Sequence, residues 1–178
     1  MTKLRDGVHY LESSIRIQAP VEVCYQAWLD APHFPDFMSR VIAFQYRPKG
    51  VVIPASVEEI QSRAQLLKQD IVPMSTIKHW LLSGPSCKLY EIDSTVILEI
   101  PNRFYCTTST DPNDLSIQSS LSFMPDQMNR NTIIKWQISF WAFDPPGKMT
   151  SLASDILEAG DAFLENNLQD FKAHLEAN

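Results

Sequence analysis

The sequence predicts an α+β fold, a curved antiparallel β-sheet wrapped around a long C-terminal helix, with an extra helix inserted between the second and third strands. Three observations carry this expectation. Between Ser75 and Ala142 the chain breaks into five strand-like segments with short connections, several of them apolar on one face and polar on the other, as in a sheet with a single packed side. Between Met149 and Glu176, apolar residues recur at helical spacing and gather into a half-cylinder too wide for a surface helix. The order of elements is strand, helix, short helix, strands and a terminal helix, and a sheet bent around that last helix covers its apolar face.

Taken in order, residues 8–18 alternate around Ile15 and Ile17 and stop at Ala19-Pro20, where the proline cannot donate to a ladder. Pro20 suits the first position of a helix running to about Asp30, with Val21, Val23, Cys24, Ala27, Trp28 and Leu29. The segment from Ala31 to Met38 is broken by Pro32 and Pro35 yet carries Phe34, Phe37 and Met38. Val41 to Tyr46 resumes a strand, which Arg47-Pro48-Lys49-Gly50 ends. Ser56 and Glu59 form a capping box ahead of a narrow apolar stripe (Val57, Ile60, Ala64, Leu67, Ile71), so a surface helix is expected over 56–71, ended by Pro73.

The five later strands are expected over Ile77–Leu82, Tyr90–Ile100, 103–109, Leu115–Phe123 and Ile134–Ala142. In the second of these, Tyr90, Ile92, Ser94, Val96, Leu98 and Ile100 share one face, and Glu91, Asp93, Thr95 and Glu99 the other. The terminal helix is read as one rod. Gly160 and Asn167 fall inside its apolar face, so either the rod roofs a space, or Gly160 marks a packing contact and Asn167 is exposed.

At 178 residues the chain is expected to form a single domain, 1–178, with 48–75 as an insertion within it. With 44% hydrophobic and 20% charged residues, the composition is that of a folded globular protein. Stable membrane insertion is not expected, since no apolar run reaches the ~20 residues of a spanning helix. The first residues carry no secretory signal pattern, which makes the cytoplasm the default location. Cys24, Cys87 and Cys106 have neither the number nor the spacing of a disulfide framework or zinc site. A net charge of −6 without a basic cluster argues against nucleic acid as a partner. His9, His33, His79 and His174 sit on different elements without metal spacing, and no Gly-rich phosphate loop or Gly-x-Ser-x-Gly is present. No metal or other cofactor is therefore expected, and no catalytic residue is singled out.

Several segments together resemble the helix-grip superfamily of START domains, Bet v 1-like proteins and polyketide cyclase/dehydrases (SRPBCC). They are Ala19-Pro20-Val21-Glu22-Val23, Trp28, Phe34-Pro35, Phe37-Met38, His79-Trp80, Gly84-Pro85, Ile100-Pro101-Asn102-Arg103-Phe104, Phe123-Met124-Pro125, Thr132-Ile133-Ile134 and Asp144-Pro145-Pro146-Gly147. The resemblance covers nearly the whole chain. It departs from the family at the added helix 56–71 and at Cys106, where relatives often carry tryptophan.

The resemblance implies an elongated cavity between sheet and terminal helix that takes up a hydrophobic small molecule such as a lipid, isoprenoid quinone or polyketide-like compound. Its expected wall comprises Trp80, Tyr90, Trp136, Ile138, Phe140 and Phe163, with Phe34, Phe37 and Met38 at the rim; on general grounds the same side chains suit a packed core. Ser94, Ser119, Tyr90 and Asn167 are the polar candidates for orienting a ligand. A cyclase or dehydratase using that cavity would need an inward Arg or Tyr, for which Arg103 and Tyr105 on one strand face and Tyr90 on a neighbouring strand are the available residues. A third reading is an interaction module that docks a protein partner through helix 56–71.

Overall fold

The computed structural model describes residues 3–5, 8–47, 77–84, 87–110, 115–142 and 151–177. The expected helix at 56–71, and with it the 48–75 insertion, lies outside the described residues. Among the described residues eight strands form one antiparallel sheet: β1 (Lys3–Arg5), β2 (Val8–Ile17), β3 (Val41–Arg47), β4 (Ile77–Ser83), β5 (Leu89–Ile100), β6 (Phe104–Thr110), β7 (Leu115–Pro125) and β8 (Thr132–Ala142). Their order is β1-β2-β8-β7-β6-β5-β4-β3. From β3 to β8 each strand pairs with its successor, and β2 rejoins the sheet beside β8. The chain therefore has to travel from β2 to the opposite edge before β3 begins.

That journey is made by α1 (Val21–Leu29), a turn of 3-10 helix at Ala31–His33, and the short α2 (Phe34–Phe37). The prolines place the breaks: Pro20 precedes α1, while Pro32 and Pro35 occupy the first turns of the two short segments, where a missing N–H is harmless. Asn129, in the left-handed region at φ 50°, turns its side chain to accept from Val21 N at 3.0 Å. Thr132 donates its hydroxyl to Ala19 O at 2.9 Å, so the β7–β8 turn holds the start of α1.

The terminal rod is interrupted, unlike the single helix read from the sequence. It divides into α3 (Ser151–Ala159) and α4 (Asp161–Glu176) at Gly160, whose φ of 61° and ψ of −147° belong to a region open to glycine. A Cβ added at Gly160 would meet no atom within 4 Å, so the glycine serves a change of direction and not a packing contact. Polar ties fix α4 along β2 and the loop after α2. Lys172 Nζ donates to Arg16 O at 2.9 Å, Gln18 N to Glu176 Oε1 at 2.8 Å, and Ser39 N to Asp170 Oδ2 at 2.9 Å. The apolar face of α4 (Phe163, Leu164, Leu168, Phe171) is buried toward the sheet.

A second departure lies in β5. The expected alternation runs from Tyr90 to Ile100 without a break, but the β5–β6 register shifts between Val96 and Leu98. A β-bulge there adds one residue and reverses the facing of everything after it. Leu98 and Ile100 consequently lie exposed, and Glu99 comes opposite Tyr105. Glu99 Oε1 accepts from the hydroxyl of Tyr25, a buried residue of α1.

Among the described residues Ala43 and Leu81 form a small apolar cluster of their own, and the main core falls into two groups with a gap between them. One joins α1, α2, the end of α4 and the neighbouring strands around Trp28, Phe34, Phe44 and Phe171; the other joins Leu11, Ile117, Ile138, Phe140, Ile156, Phe163 and Leu164.

Candidate functional site

Between these groups, against the concave face of the sheet, is a cavity of about 140 Å³. Its floor is built by strand alternation. Lys78, Trp80 and Leu82 of β4, Ile92 and Ser94 of β5, Tyr105, Thr107 and Ser109 of β6, Ile117, Ser119 and Leu121 of β7, and Trp136 and Ile138 of β8 each face inward at steps of two. The roof comes from Ile156 of α3 and Phe163 and Asn167 of α4, spaced so that both α4 residues fall on one side of the helix. Trp28, Ala31, Phe34, Met38, Arg40 and Val41 complete the wall.

Of the residues expected from sequence, Phe34, Met38, Trp80, Ser94, Ser119, Trp136, Ile138, Phe163 and Asn167 are brought together on this wall. Phe37, Tyr90 and Phe140 are not. Phe37 turns outward and stacks on His174 at 4.0 Å between ring centroids, with Phe34 and Phe171 behind it. Tyr90 lies over Gly84, where an added Cβ would meet its ring at 2.4 Å. Phe140 is wholly enclosed in the second core group. Arg103, the arginine weighed for a cyclase, is exposed in the turn before β6, whereas Tyr105 is buried and on the wall.

The hydroxyls on the floor are held in place. Trp80 Nε1 donates to Ser94 Oγ at 2.8 Å, and Trp136 Nε1 donates to Ser119 Oγ at 2.8 Å. With an indole N–H already satisfying one acceptor site, each serine has its O–H to offer. Ser109 instead donates to Ile117 O at 3.2 Å. In the roof, Asn167 is buried, donates Nδ2 to Phe163 O at 2.7 Å, and keeps its carbonyl oxygen as an acceptor. Its burial excludes the alternative in which Asn167 is exposed.

Lys78 was not anticipated as part of the site. The signal was present, because Lys78 alternates with Trp80 and Leu82 and must share their face. Only 8% exposed, it donates Nζ–H to Tyr105 Oη and lies 4.8 Å from the centre of that ring. Burial pulls its pKa from 10.5 down to about 8, with Glu99 opposing through its charge. Burial also pushes the Tyr105 hydroxyl well above the usual tyrosine value, helped by the charge of Glu99. Tyr25 is raised likewise, first by burial and then by its bond to Glu99. The apolar cavity thus contains an amine whose charged form is disfavoured, touching a phenol that stays protonated.

Three histidines engage other partners: His33 with Asp30 and Asp36, His79 with Asp93 at 2.6 Å on the opposite sheet face, and His174 with Phe37. Among the described residues no group of three His, Cys, Asp or Glu could hold a metal ion. Among them, too, no helix is long and apolar enough to cross a membrane. Cys106 is buried beside Tyr105 in β6 but points to the other side of the sheet, where Gln118 Nε2 lies 3.2 Å from its sulfur.

No protein-family model matches the chain, and no curated protein sequence does. Solved structures do match in shape. The Zhui aromatase/cyclase from Streptomyces sp. R1128 is similar with a TM-score of 0.68 at 10% identity, over 95% of this chain and 94% of that one. The di-domain ARO/CYC BexL gives 0.67 at 12% identity over 98% of this chain, which spans only 52% of that protein. Ara h 8.0201 gives 0.60 at 11% identity, over 97% of this chain and 100% of the other. Together with the order of strands and the placement of the terminal helix, these likenesses identify the fold as the helix-grip fold of START and Bet v 1-like proteins.

Proposed function

We propose that this chain binds a hydrophobic small molecule in the cavity between the sheet and the C-terminal helices, and carries or sequesters it. One observation supports the reading above the rest: the gap between the core groups is walled mainly by aromatic and aliphatic side chains, with a few fixed polar groups, the composition of a ligand site. Protein interiors ordinarily close such gaps. Ser94 and Ser119 offer hydroxyls and Asn167 a carbonyl, so ligand orientation follows from matching oxygens along an otherwise apolar body.

The volume limits what the cavity can hold. A cavity near 140 Å³ resembles in size the apolar cavities that take one benzene ring. Burying ~150 Å² of such a ring at ~25 cal/mol per Å² is worth roughly 4 kcal/mol, which corresponds to a Kd near ~1 mM. Micromolar binding needs about the same area again, so a tight ligand buries more surface than a single ring offers.

Titration with the neutral apolar fluorophore N-phenyl-1-naphthylamine tests this. Saturable enhancement, weakened tenfold or more by Thr107→Phe on the cavity floor, is expected. Equal enhancement by both proteins, with both folded, contradicts it.

A second reading is a cyclase or dehydratase acting in the same cavity. It is favoured by the inward Lys78–Tyr105 pair and by the description of two similar structures as aromatase/cyclases. Turnover of a polyketone substrate that is lost in Tyr105→Phe while fluorophore binding persists would establish it. The protein-docking reading rests on residues 56–71, outside the described region.

A further inference from the structure

Carriage of an apolar ligand gives no reason for a lysine in the cavity wall. Lys78 stands on β4 opposite Tyr46 of β3 and Ser94 of β5, with the Tyr105 ring beside it. Among the described residues no carboxylate lies within ion-pair distance of its amine. Glu99 acts on it through space, but an oxygen of Glu99 is already taken by Tyr25. The cavity residues contributed by α3 and α4 (Ile156, Phe163 and Asn167) are uncharged. The ionisable surroundings are therefore Tyr46, Glu99, Tyr105, the guanidinium of Arg40 elsewhere on the cavity wall and, through Glu99, Tyr25.

We infer that Lys78 is a nucleophile that captures apolar aldehydes and ketones in the cavity as imines, with Tyr105 relaying the proton. The inference rests on the ligand-binding reading of the cavity. A desolvated lysine with a proton donor in contact is the arrangement that carbonyl chemistry requires, because the neutral amine attacks and the developing alkoxide needs a proton. The nitrogen lone pair forms a C–N bond as the carbonyl π pair moves to oxygen, which takes a proton from Tyr105. The tyrosinate regains one from nitrogen, giving a neutral carbinolamine. The nitrogen lone pair then expels the hydroxyl as water with a proton from Tyr105, and the iminium returns a proton to the tyrosinate. One amine and one carbonyl compound give one imine and one water, with no oxidant or reductant. Dry walls favour the imine by keeping water away from the C=N carbon.

Incubating the full chain with dodecanal and sodium cyanoborohydride converts any imine to a stable secondary amine that peptide mass spectrometry can place. The adduct is expected at Lys78 in preference to Lys88, Lys135 and Lys172, with a rate that rises with pH and levels off above about 8 as the amine becomes neutral. Lys78→Arg and Lys78→Met should both abolish it, with circular dichroism and cooperative urea unfolding showing that both variants fold. Tyr105→Phe should slow capture on the order of a hundredfold while the adduct that does form stays at Lys78. Labelling spread over Lys88, Lys135 and Lys172 according to exposure, or no adduct at Lys78 while the fluorophore binds, overturns the inference alone. Failure of both fluorophore binding and capture overturns the ligand-binding reading with it.

Discussion

Replacing Lys78 with methionine isolates the electrostatics of the cavity, because the thioether keeps most of the length and removes the charge. The folded-state pKa near 8 against 10.5 unfolded means that the unfolded chain binds the extra proton more readily. Above about pH 10.5 both states hold the neutral amine and the burial carries no penalty. As pH falls toward 8 the penalty grows, and below 8 it is complete. A shift of about 2.5 pKa units at ~1.4 kcal/mol each gives roughly 3 kcal/mol of destabilisation at pH 7. Loss of the bond to Tyr105 offsets about 1 kcal/mol of the gain. Lys78→Met should therefore unfold later in urea than the parent by about 2 kcal/mol at pH 7, and this advantage should vanish by about pH 10.5. The tyrosines raised by burial titrate in both proteins, so the difference between the two curves reports Lys78. A difference that does not change with pH, or one that favours the parent at pH 7, refutes the account of a buried, weakly compensated amine.

Other substitutions probe separate parts of the structure. Gly160→Ala should destabilise by about 1–3 kcal/mol in thermal unfolding despite open space for the methyl, since the backbone at φ 61° and ψ −147° excludes a Cβ; an unchanged midpoint would show the two helices rejoined as one. Ser119→Ala leaves the Trp136 indole N–H without its acceptor and should destabilise by about 1–3 kcal/mol, visible as a shifted Trp136 indole proton in NMR. Tyr25→Phe removes a hydrogen bond from Glu99, and Lys78 should then titrate higher as the carboxylate charge becomes less neutralised; the pH profile of dodecanal capture would show it.

Most strands were legible because alternation is local: each inward residue is followed two positions on by another, as in Ile134, Trp136, Ile138 and Phe140. The errors arise where a remote partner decides. Val96, Leu98 and Ile100 look like one continuous face, but pairing with β6 inserts a bulge that no apolar pattern records, and Glu99 gains an inward role. Gly160 sits amid good helical spacing, so periodicity runs through it; its positive φ follows from how α3 and α4 must turn over the sheet. Lys78 is hard to find from residue type because lysine is among the residues least often buried, even though it alternates with Trp80 and Leu82. Phe37 and Phe140 show the limit of residue type. Both are large and apolar near the cavity, yet rotamer and neighbours send one to His174 and the other into solid packing.

The central claim is that apolar ligands occupy the hollow under α3 and α4, and methyl NMR of isoleucine reads that directly. Ile92, Ile138 and Ile156 line the cavity, whereas Ile97 and Ile133 are exposed elsewhere. Titration with N-phenyl-1-naphthylamine should shift or broaden the first three methyl signals saturably and leave the last two in place. Shifts confined to Ile97 and Ile133, with the three lining signals unmoved, would mean that the ligand sits on the surface and the hollow stays shut.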